Sequence, residues 1–249
     1  DLFDQKIAPA ILAGNTIIVK PPHQNPSAII KLVALMHEAG MPKGVVQVLT
    51  GEGDKVGNAL SKHKDVHGIT FTGSTRVGKI TYLNGAEHLA HVALELGGND
   101  AFIVLDNADV DLAVEETVWG RMYNTGQVCC ASKRFIVQKG VLKEFEEKLK
   151  ARLSKLVIGN VLDKKTEIGV LVTKEACDKA VRQVERVVEQ GGRIIYGGHH
   201  EGAFFEPTII TDIPKDADVA IDEEIFAPVV SIIPCEDVEE AIEIANSSS

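Results

Sequence analysis

The 249-residue sequence lacks the features that mark several classes of protein. No apolar run approaches the ~20 residues that a membrane-spanning helix needs, and the opening Asp-Leu-Phe-Asp-Gln is not typical of a signal peptide. Cysteines number only four, and none has the CxxC or Cys/His spacing of a zinc site. Basic residues are in the minority, with 26 Lys and Arg against 36 Asp and Glu. Because this balance repels phosphate backbones and anionic lipid, we expect no nucleic acid and no membrane as partner. From the cysteine spacing we expect no metal site.

The chain does contain enough apolar residues for a full core. Hydrophobic residues make up 45% and charged residues 25%, which excludes a disordered chain, a fibre and a small disulfide scaffold. The length suits one large α/β domain or two modest ones. Such a chain has no need of disulfides, so we expect a reducing, cytoplasmic compartment. It has no initiator Met and stops abruptly after three serines, so we expect a piece of a longer protein.

Strand-like and helix-like segments alternate along the first hundred residues. Short β-branched runs predict strands, and the apolar stripes between them predict helices. The predicted strands are 15–20, 45–49, 68–72 and 91–95, and the predicted helices are 26–39, 54–63 and 74–83. This alternation is typical of βαβ units and a parallel sheet of the Rossmann type, in which ligands bind beyond the carboxyl ends of the strands.

The second half of the chain mixes strands and helices less regularly. Its predicted strands are 101–105, 134–138, 193–196, 204–213 and 229–234, and its predicted helices are 109–121, 141–156, 173–190 and 237–245. The regular alternation of strands and helices ends near Gly97-Gly98, so we place a domain boundary there. This divides the chain into domains 1–97 and 98–249.

Two glycine-rich turns of the first half are candidate ligand sites. The segment from Gly73 to Lys79 nearly spells a P-loop, but Ile80 replaces the hydroxyl residue that would hold Mg²⁺. Ser74 at the start of a helix either offers N–H groups to a phosphate or simply caps the helix. The pair Gly53 and Gly57 either admits a ligand to the backbone or forms an ordinary turn.

Three further positions stand out for their chemistry. Glu95 ends an apolar strand and is either a general base or a solvated strand terminus. Cys129 and Cys130 lie in a Gly-rich turn, which favours an exposed reactive thiol, although two buried cysteines are the more ordinary interpretation of such a pair. The third is the acidic cluster 222–224, which directly precedes the apolar turn at Phe226.

Together these residues resemble the aldehyde dehydrogenase superfamily, in motif order and over the whole chain. The family's E-L-G-G pattern corresponds to Glu95–Gly98, and its F-T-G-S-T-x-x-G pattern to Phe71–Gly78. The nucleophile pattern G-Q-x-C-x-A-x-x-R corresponds to Gly126–Arg134 and places Cys129 at the cysteine. The pattern E-E-I-F-G-P-V corresponds to Glu223–Val229, with Ala where Gly is usual.

The resemblance implies an α/β fold and an enzymatic activity. A Rossmann-like parallel-sheet cofactor segment (1–97) would be followed by an α/β catalytic domain (98–249), both incomplete. The activity implied is oxidation of an aldehyde to a carboxylic acid with NAD⁺ or NADP⁺, with Cys129 as nucleophile and Glu95 as the base that activates water. The implied cofactor-binding residues are Lys20, His23, Gly53, Gly57, Gly73, Ser74, Glu224 and Phe226.

Three departures from the family pattern matter. His23 stands where a Glu often disfavours NADP⁺, so we expect NADP⁺ to be accepted at least comparably to NAD⁺. Asn99 stands where Lys is usual, a change that the sequence leaves unexplained. The family's oxyanion-stabilising Asn lies upstream of the first residue, so we expect these 249 residues alone to be inactive.

Two other functions compete with this one. A dehydrogenase that passes its acyl group to coenzyme A is disfavoured by Glu95, because a deacylating base would hydrolyse the intermediate. A non-catalytic structural protein on the same fold is disfavoured because both Cys129 and Glu95 are present. We expect the longer protein to be a homo-oligomer, a dimer or tetramer, and the sequence does not identify the aldehyde.

Overall fold

The structure, a computed structural model, describes residues 2–248. The chain forms two units, the first ending at Leu96 and the second beginning at Gly97. All four cysteines are free thiols. No group of His, Cys, Asp or Glu side chains within residues 2–248 is arranged to hold a metal ion. No helix in this part of the chain is both long enough and apolar enough to cross a bilayer.

The first unit alternates strands with helices. Its helices are α1 (Leu2–Leu12), α2 (Ser27–Glu38), α3 (Asn58–Ser61) and α4 (Thr75–Ala86), and its strands are β1 (Ile17–Val19), β2 (Val46–Val48), β3 (Gly68–Thr72) and β4 (His91–Glu95). Strand β1 pairs with β2, and β3 pairs with β4, both in parallel. A small core of Ile7, Val33 and Val46 joins α1, α2 and β2.

Two local features of this unit differ from the sequence prediction. Helix α1 lies where no element is predicted, because Pro9, which cannot donate a helix hydrogen bond, interrupts a stripe formed by Phe3, Ile7 and Ile11. The predicted helix 54–63 is instead a π-helical turn, Gly53–Gly57, that runs directly into α3. Such turns leave the backbone irregular, and they recur at functional sites.

The second unit is built on a five-stranded sheet of order β5-β6-β11-β10-β7, in which only the edge strand β7 is antiparallel. The strands are β5 (Ala101–Val104), β6 (Arg134–Gln138), β7 (Arg193–Tyr196), β10 (Thr208–Thr211) and β11 (Val229–Cys235), and a separate hairpin contains β8 (His200–Glu201) and β9 (Phe204–Phe205). The helices are α5 (Val110–Met122), α6 (Lys139–Leu153), α7 (Lys174–Glu189), α8 (Asp218–Ile221) and α9 (Val238–Ala245).

Alternate residues of the central strands enter two separate cores. Phe135 and Ile232 pack with apolar residues of α5 and α6, whereas Ile136 and Ile233 pack with those of α7, α8 and α9. Each such side chain contributes about 1.5–3 kcal/mol on full burial. Two-sided burial explains why β6 and β11 are continuous apolar runs, and it confirms the α/β fold class predicted from the sequence.

One predicted strand of this unit is wrong in its continuity. The segment 204–213 is divided into β9 and β10. Pro207 lies between them, and its missing N–H prevents an unbroken hydrogen-bond ladder. The division matters for the site. Strand β10 begins at Thr208 and pairs with β11, and β11 begins shortly after the turn at Phe226.

Candidate active site

Cys129 follows a turn with an unusual backbone. After α5 ends, Asn124, Thr125 and Gly126 take φ values of 50°, 57° and 73°, three consecutive residues in the left-handed region. This conformation costs a non-glycine residue about 1–2 kcal/mol, and Thr125 is both β-branched and buried. Other contacts must therefore hold the turn, here called the cysteine turn (residues 123–130).

The cysteine turn is pressed against the backbone that follows Phe226. A Cβ at Gly126 would lie 2.2 Å from the carbonyl oxygen of Ala227, so only glycine fits there. Gln127 secures the same turn, because its Oε1 accepts from the Val172 N–H at 2.8 Å and its Nε2 donates to the Asn124 carbonyl at 3.1 Å. The segment 223–228, here called the Glu224 loop, is thereby a direct neighbour of the cysteine turn.

Arg121, at the end of α5, binds the backbone of the Glu224 loop. Its buried guanidinium donates to the carbonyl oxygens of Val229 and Ala227, each at 2.7 Å, and to that of Ile225. Burial lowers the pKa of the Arg121 guanidinium to about 10, an effect that the Glu224 carboxylate opposes. The arginine remains charged at neutral pH, so these carbonyls have a permanent cationic partner.

The turn presents its two thiols to solvent. Cys129 and Cys130 are both exposed, whereas Cys177 and Cys235 are the buried pair. The interpretation of Cys129 and Cys130 as buried hydrophobes is therefore wrong.

The Glu224 carboxylate lies between the cysteine turn and the Gly97-Gly98 segment. Its Oε1 is 3.1 Å from the Lys133 ammonium and accepts from the Gly98 N–H at 3.3 Å. Oε2 lies so close to Gly97 that a Cβ there would be 2.2 Å away. The Phe226 ring lies 5.6 Å from the Lys133 ammonium, a cation–π distance. Cys129, Glu224 and Phe226 are thus neighbours through Lys133.

The acidic cluster at 222–224 is not one site. Asp222 accepts a hydrogen bond from the Ser248 hydroxyl at 3.0 Å, and Glu223 accepts from the Gln183 side chain at 3.2 Å. Only Glu224 turns towards the cysteine turn. The three carboxylates therefore have different partners and do not form a single acidic site.

Glu95 and Ser74 lie at one edge of the first unit. Glu95 pairs with Thr72 in register, and its carbonyl accepts from the Gly73 N–H at 3.0 Å. Its carboxylate is exposed. Ser74 caps α4, since its hydroxyl accepts from the Val77 N–H at 3.4 Å, which confirms the capping interpretation of this residue.

Lys6 of α1 is a neighbour of this edge that the sequence reasoning missed. Its ammonium donates to the Thr70 hydroxyl at 2.8 Å. Burial lowers the pKa of Lys6, and the nearby Glu95 carboxylate opposes that change. A single lysine among the apolar residues of α1 was the only available signal.

The remaining predicted cofactor residues lie at turns of the first unit. Lys20 follows β1 and donates to the Pro21 carbonyl at 3.1 Å, and a Cβ added at Gly57 would lie 3.8 Å from its Cδ. Gly53 opens the π-helical turn, and His23 is exposed in the turn after Lys20. Gly73 has no room for a side chain, because a Cβ would lie 2.5 Å from the Phe71 ring.

Comparison with known proteins decides the family. The sequence profile described as "Aldehyde dehydrogenase family" matches residues 2–249. The chain belongs to the aldehyde dehydrogenase family. It is 41% identical to a glutarate-semialdehyde dehydrogenase of Pseudomonas putida, over 99% of this chain and 52% of that protein. It is 39% identical to a betaine aldehyde dehydrogenase of Rhizobium leguminosarum, over 98% of this chain and 51% of that protein.

Solved structures of aldehyde dehydrogenase relatives superpose closely on the chain. An NADP-dependent enzyme of Escherichia coli gives a TM-score of 0.95 at 40% identity, covering 99% of this chain and 52% of that one. The betaine aldehyde dehydrogenase of Staphylococcus aureus in complex with NAD⁺ gives 0.93 at 37% identity, covering 98% and 49%. The chain thus spans about half the length of the relatives it matches.

The unexplained departure from the aldehyde dehydrogenase pattern has a structural role. The Asn99 amide is buried and donates to the carbonyl oxygens of Val219 and Ile221, at 3.0 and 2.9 Å. These carbonyls belong to α8, which leads directly into the Glu224 loop. Asn99 therefore helps to place Glu224, a contact that no sequence motif signals.

Proposed function

We propose that this chain carries the nucleophile, the general base and part of the cofactor site of an enzyme that oxidises an aldehyde to a carboxylic acid with NAD⁺ or NADP⁺. The observation that carries the proposal is the exposed Cys129 on a left-handed turn whose strain is held by buried contacts. Strain retained at an exposed nucleophile is typical of active sites. The names of the relatives, which are dehydrogenases of a semialdehyde and of betaine aldehyde, support the same activity.

Two steps of the reaction, addition to the aldehyde and deacylation, each have a candidate residue in this chain. The Cys129 thiolate adds to the aldehyde carbon and forms a thiohemiacetal. Loss of a hydride from that carbon leaves a thioester on the same sulfur. Glu95 takes a proton from water, whose oxygen attacks the thioester carbon, and the carboxylic acid and the thiolate are released. Nicotinamide, when bound, supplies the hydride acceptor.

The residues present fit a nicotinamide dinucleotide. Helix α4 begins directly after Gly73 and Ser74, and the N–H groups of its first turn can bind a pyrophosphate. The Glu224 carboxylate is 21% exposed and can accept from ribose hydroxyls, with Phe226 beside it. Lys20, His23, Gly53 and Gly57 would serve the adenosine half.

The finer expectations about substrate, assembly and compartment belong to the same proposal. We infer a small polar aldehyde as substrate, because the names of the relatives specify semialdehyde, betaine aldehyde and sulfolactaldehyde. Four free cysteines support a reducing, cytoplasmic location. We further propose that the longer protein is a homo-oligomer, a dimer or a tetramer. Light scattering would measure the assembly.

The test places this chain within a protein of full family length, here called the full-length protein. NAD(P)H formation is followed with a short aldehyde, with and without coenzyme A. We expect Cys129→Ala to abolish turnover, and Cys130→Ala, as matched control, to retain most of it. Glu95→Gln should give a burst of NAD(P)H and then stall, because only deacylation needs water. Equal losses in both cysteine variants, steady turnover in Glu95→Gln, or a requirement for coenzyme A would contradict the proposal.

A further inference from the structure

Lys133 is a buried cation with a complete set of partners. Its side chain is 1% exposed. Its ammonium donates to the carbonyl oxygens of Cys129 and Ala131, the latter at 2.9 Å, and forms an ion pair with the Glu224 Oε1 at 3.1 Å. A buried charge is tolerated only when it is paired and hydrogen-bonded in this way. Two hydrogen bonds and one ion pair therefore hold the ammonium in place.

These contacts join two segments that are far apart in the sequence. Two acceptors belong to the backbone of the cysteine turn and its exit, and the third is a side chain of the Glu224 loop. The Glu224 side chain is 21% exposed, and its Oε1 contacts both the Lys133 ammonium and the Gly98 N–H. Of these two contacts, only the one with Lys133 ties the carboxylate to the cysteine turn.

We propose that Lys133 is a positioning residue, whose ammonium holds the Glu224 carboxylate at a fixed place beside the Cys129 turn. As a consequence, a ribose bound by the fixed Glu224 carboxylate would keep a constant position relative to the Cys129 sulfur. This inference rests on the proposed function, in which Glu224 binds the nicotinamide ribose. It assigns to Lys133 a role that the G-Q-x-C-x-A-x-x-R pattern leaves open, since the residue occupies an unspecified position of that pattern.

The test compares two cofactor fragments that differ by one ribose. ADP-ribose contains the nicotinamide ribose and ADP does not, so the ratio of their dissociation constants isolates the contact at Glu224. Both are titrated by calorimetry into the full-length protein, without turnover. The variants are Lys133→Met, Glu224→Gln and the double variant. The matched control is Lys139→Met, which breaks the exposed ion pair between Lys139 and Glu236.

We expect Lys133→Met to reduce the preference for ADP-ribose over ADP by about tenfold or more while ADP affinity stays unchanged. The double variant should lose no more than Glu224→Gln alone, because Lys133 acts through Glu224. Lys139→Met should keep the wild-type ratio. If Lys133→Met does not fold, Lys133→Gln, whose amide can still donate to the turn carbonyls, is measured in its place.

Two results would overturn the proposed role of Lys133, and a third would refute the ribose contact of Glu224 on which that role depends. A wild-type ratio in Lys133→Met, while Glu224→Gln loses the preference, would show that Glu224 needs no anchor. A parallel fall of ADP and ADP-ribose affinity would show a general structural role. Equal affinities of the two ligands in the wild type would instead refute the ribose contact of Glu224, on which the proposed function depends.

Discussion

Replacement of Gly97 by Ala should displace the Glu224 carboxylate without disturbing the fold. A Cβ at this position would lie 2.2 Å from Oε2, 3.1 Å from Cδ and 3.4 Å from Oε1 of Glu224. The backbone of Gly97 has no positive φ, so alanine meets no conformational barrier there. All three crowded atoms belong to the end of one flexible side chain, and the carboxylate is the group that must move.

The size of the effect follows from these distances. The carboxylate has to retreat by roughly 1 Å to restore ordinary nonbonded contact. Its present contacts, 3.1 Å to the Lys133 ammonium and 3.3 Å to the Gly98 N–H, would then exceed hydrogen-bonding distance. A hydrogen bond to a charged group contributes about 1.5–3 kcal/mol, so binding that depends on the placed carboxylate should weaken by about 10- to 150-fold.

Stability should change much less than binding. Lys133 keeps its two carbonyl acceptors, and the displaced carboxylate moves towards water, so we expect a loss of about 1 kcal/mol in the free energy of unfolding. Gly98→Ala is the matched control, because its Cβ would have nothing nearer than Asp100 Oδ1 at 4.0 Å. The assay pairs NAD⁺ titration with urea unfolding of both variants. Equal effects of the two substitutions, or a collapse of stability in Gly97→Ala alone, would refute this reasoning.

Three further outcomes test separate parts of the structure. Brief iodoacetamide treatment at mildly alkaline pH should alkylate the exposed Cys129 but not Cys235, because burial raises the pKa of the Cys235 thiol to about 11. Equal labelling of the two cysteines, measured by mass spectrometry, would contradict this. Arg121→Met should lower the free energy of unfolding by about 3–5 kcal/mol in urea denaturation, since three carbonyls lose a buried donor; a negligible loss would mean that they find other donors. His23→Glu should raise the KM for NADP⁺ far more than that for NAD⁺, because a carboxylate near Lys20 would repel a 2′-phosphate by about 1–3 kcal/mol; parallel changes would exclude this contact.

The sequence predicts strands best where a short apolar run is bounded by turn residues. Strands β3, β4, β6 and β7 have the bounds expected from their apolar runs. Helix α1 and the interruption at Pro207 escape prediction, and a proline is involved in both: the helix continues through Pro9, whereas the strand breaks at Pro207. Tertiary packing keeps α1 helical despite Pro9, and this packing cannot be predicted from the local sequence pattern.

The motifs locate the candidate site but not the contacts that build it. Cys129 and Glu224 stand at recognisable positions, and the structure makes them neighbours of one lysine. Lys133 itself gives no signal, since a lysine in a polar-looking segment is ordinarily a surface residue. Its burial depends on Glu224, which lies ninety-one residues further along the chain. The catalytic roles of Cys129 and Glu95 stay predictions.

The left-handed turn before Cys129 has a consequence for how the nucleophile is presented. Its conformation is unfavourable for an isolated chain, so the unfolded protein rarely samples it. Its supports are Ala227 and the loop bound by Arg121, about a hundred residues away in sequence. Ala227 precedes β11, which pairs in parallel with β6, the strand that follows the cysteine turn. The presentation of Cys129 therefore depends on contacts between segments about a hundred residues apart, and not on its own local sequence.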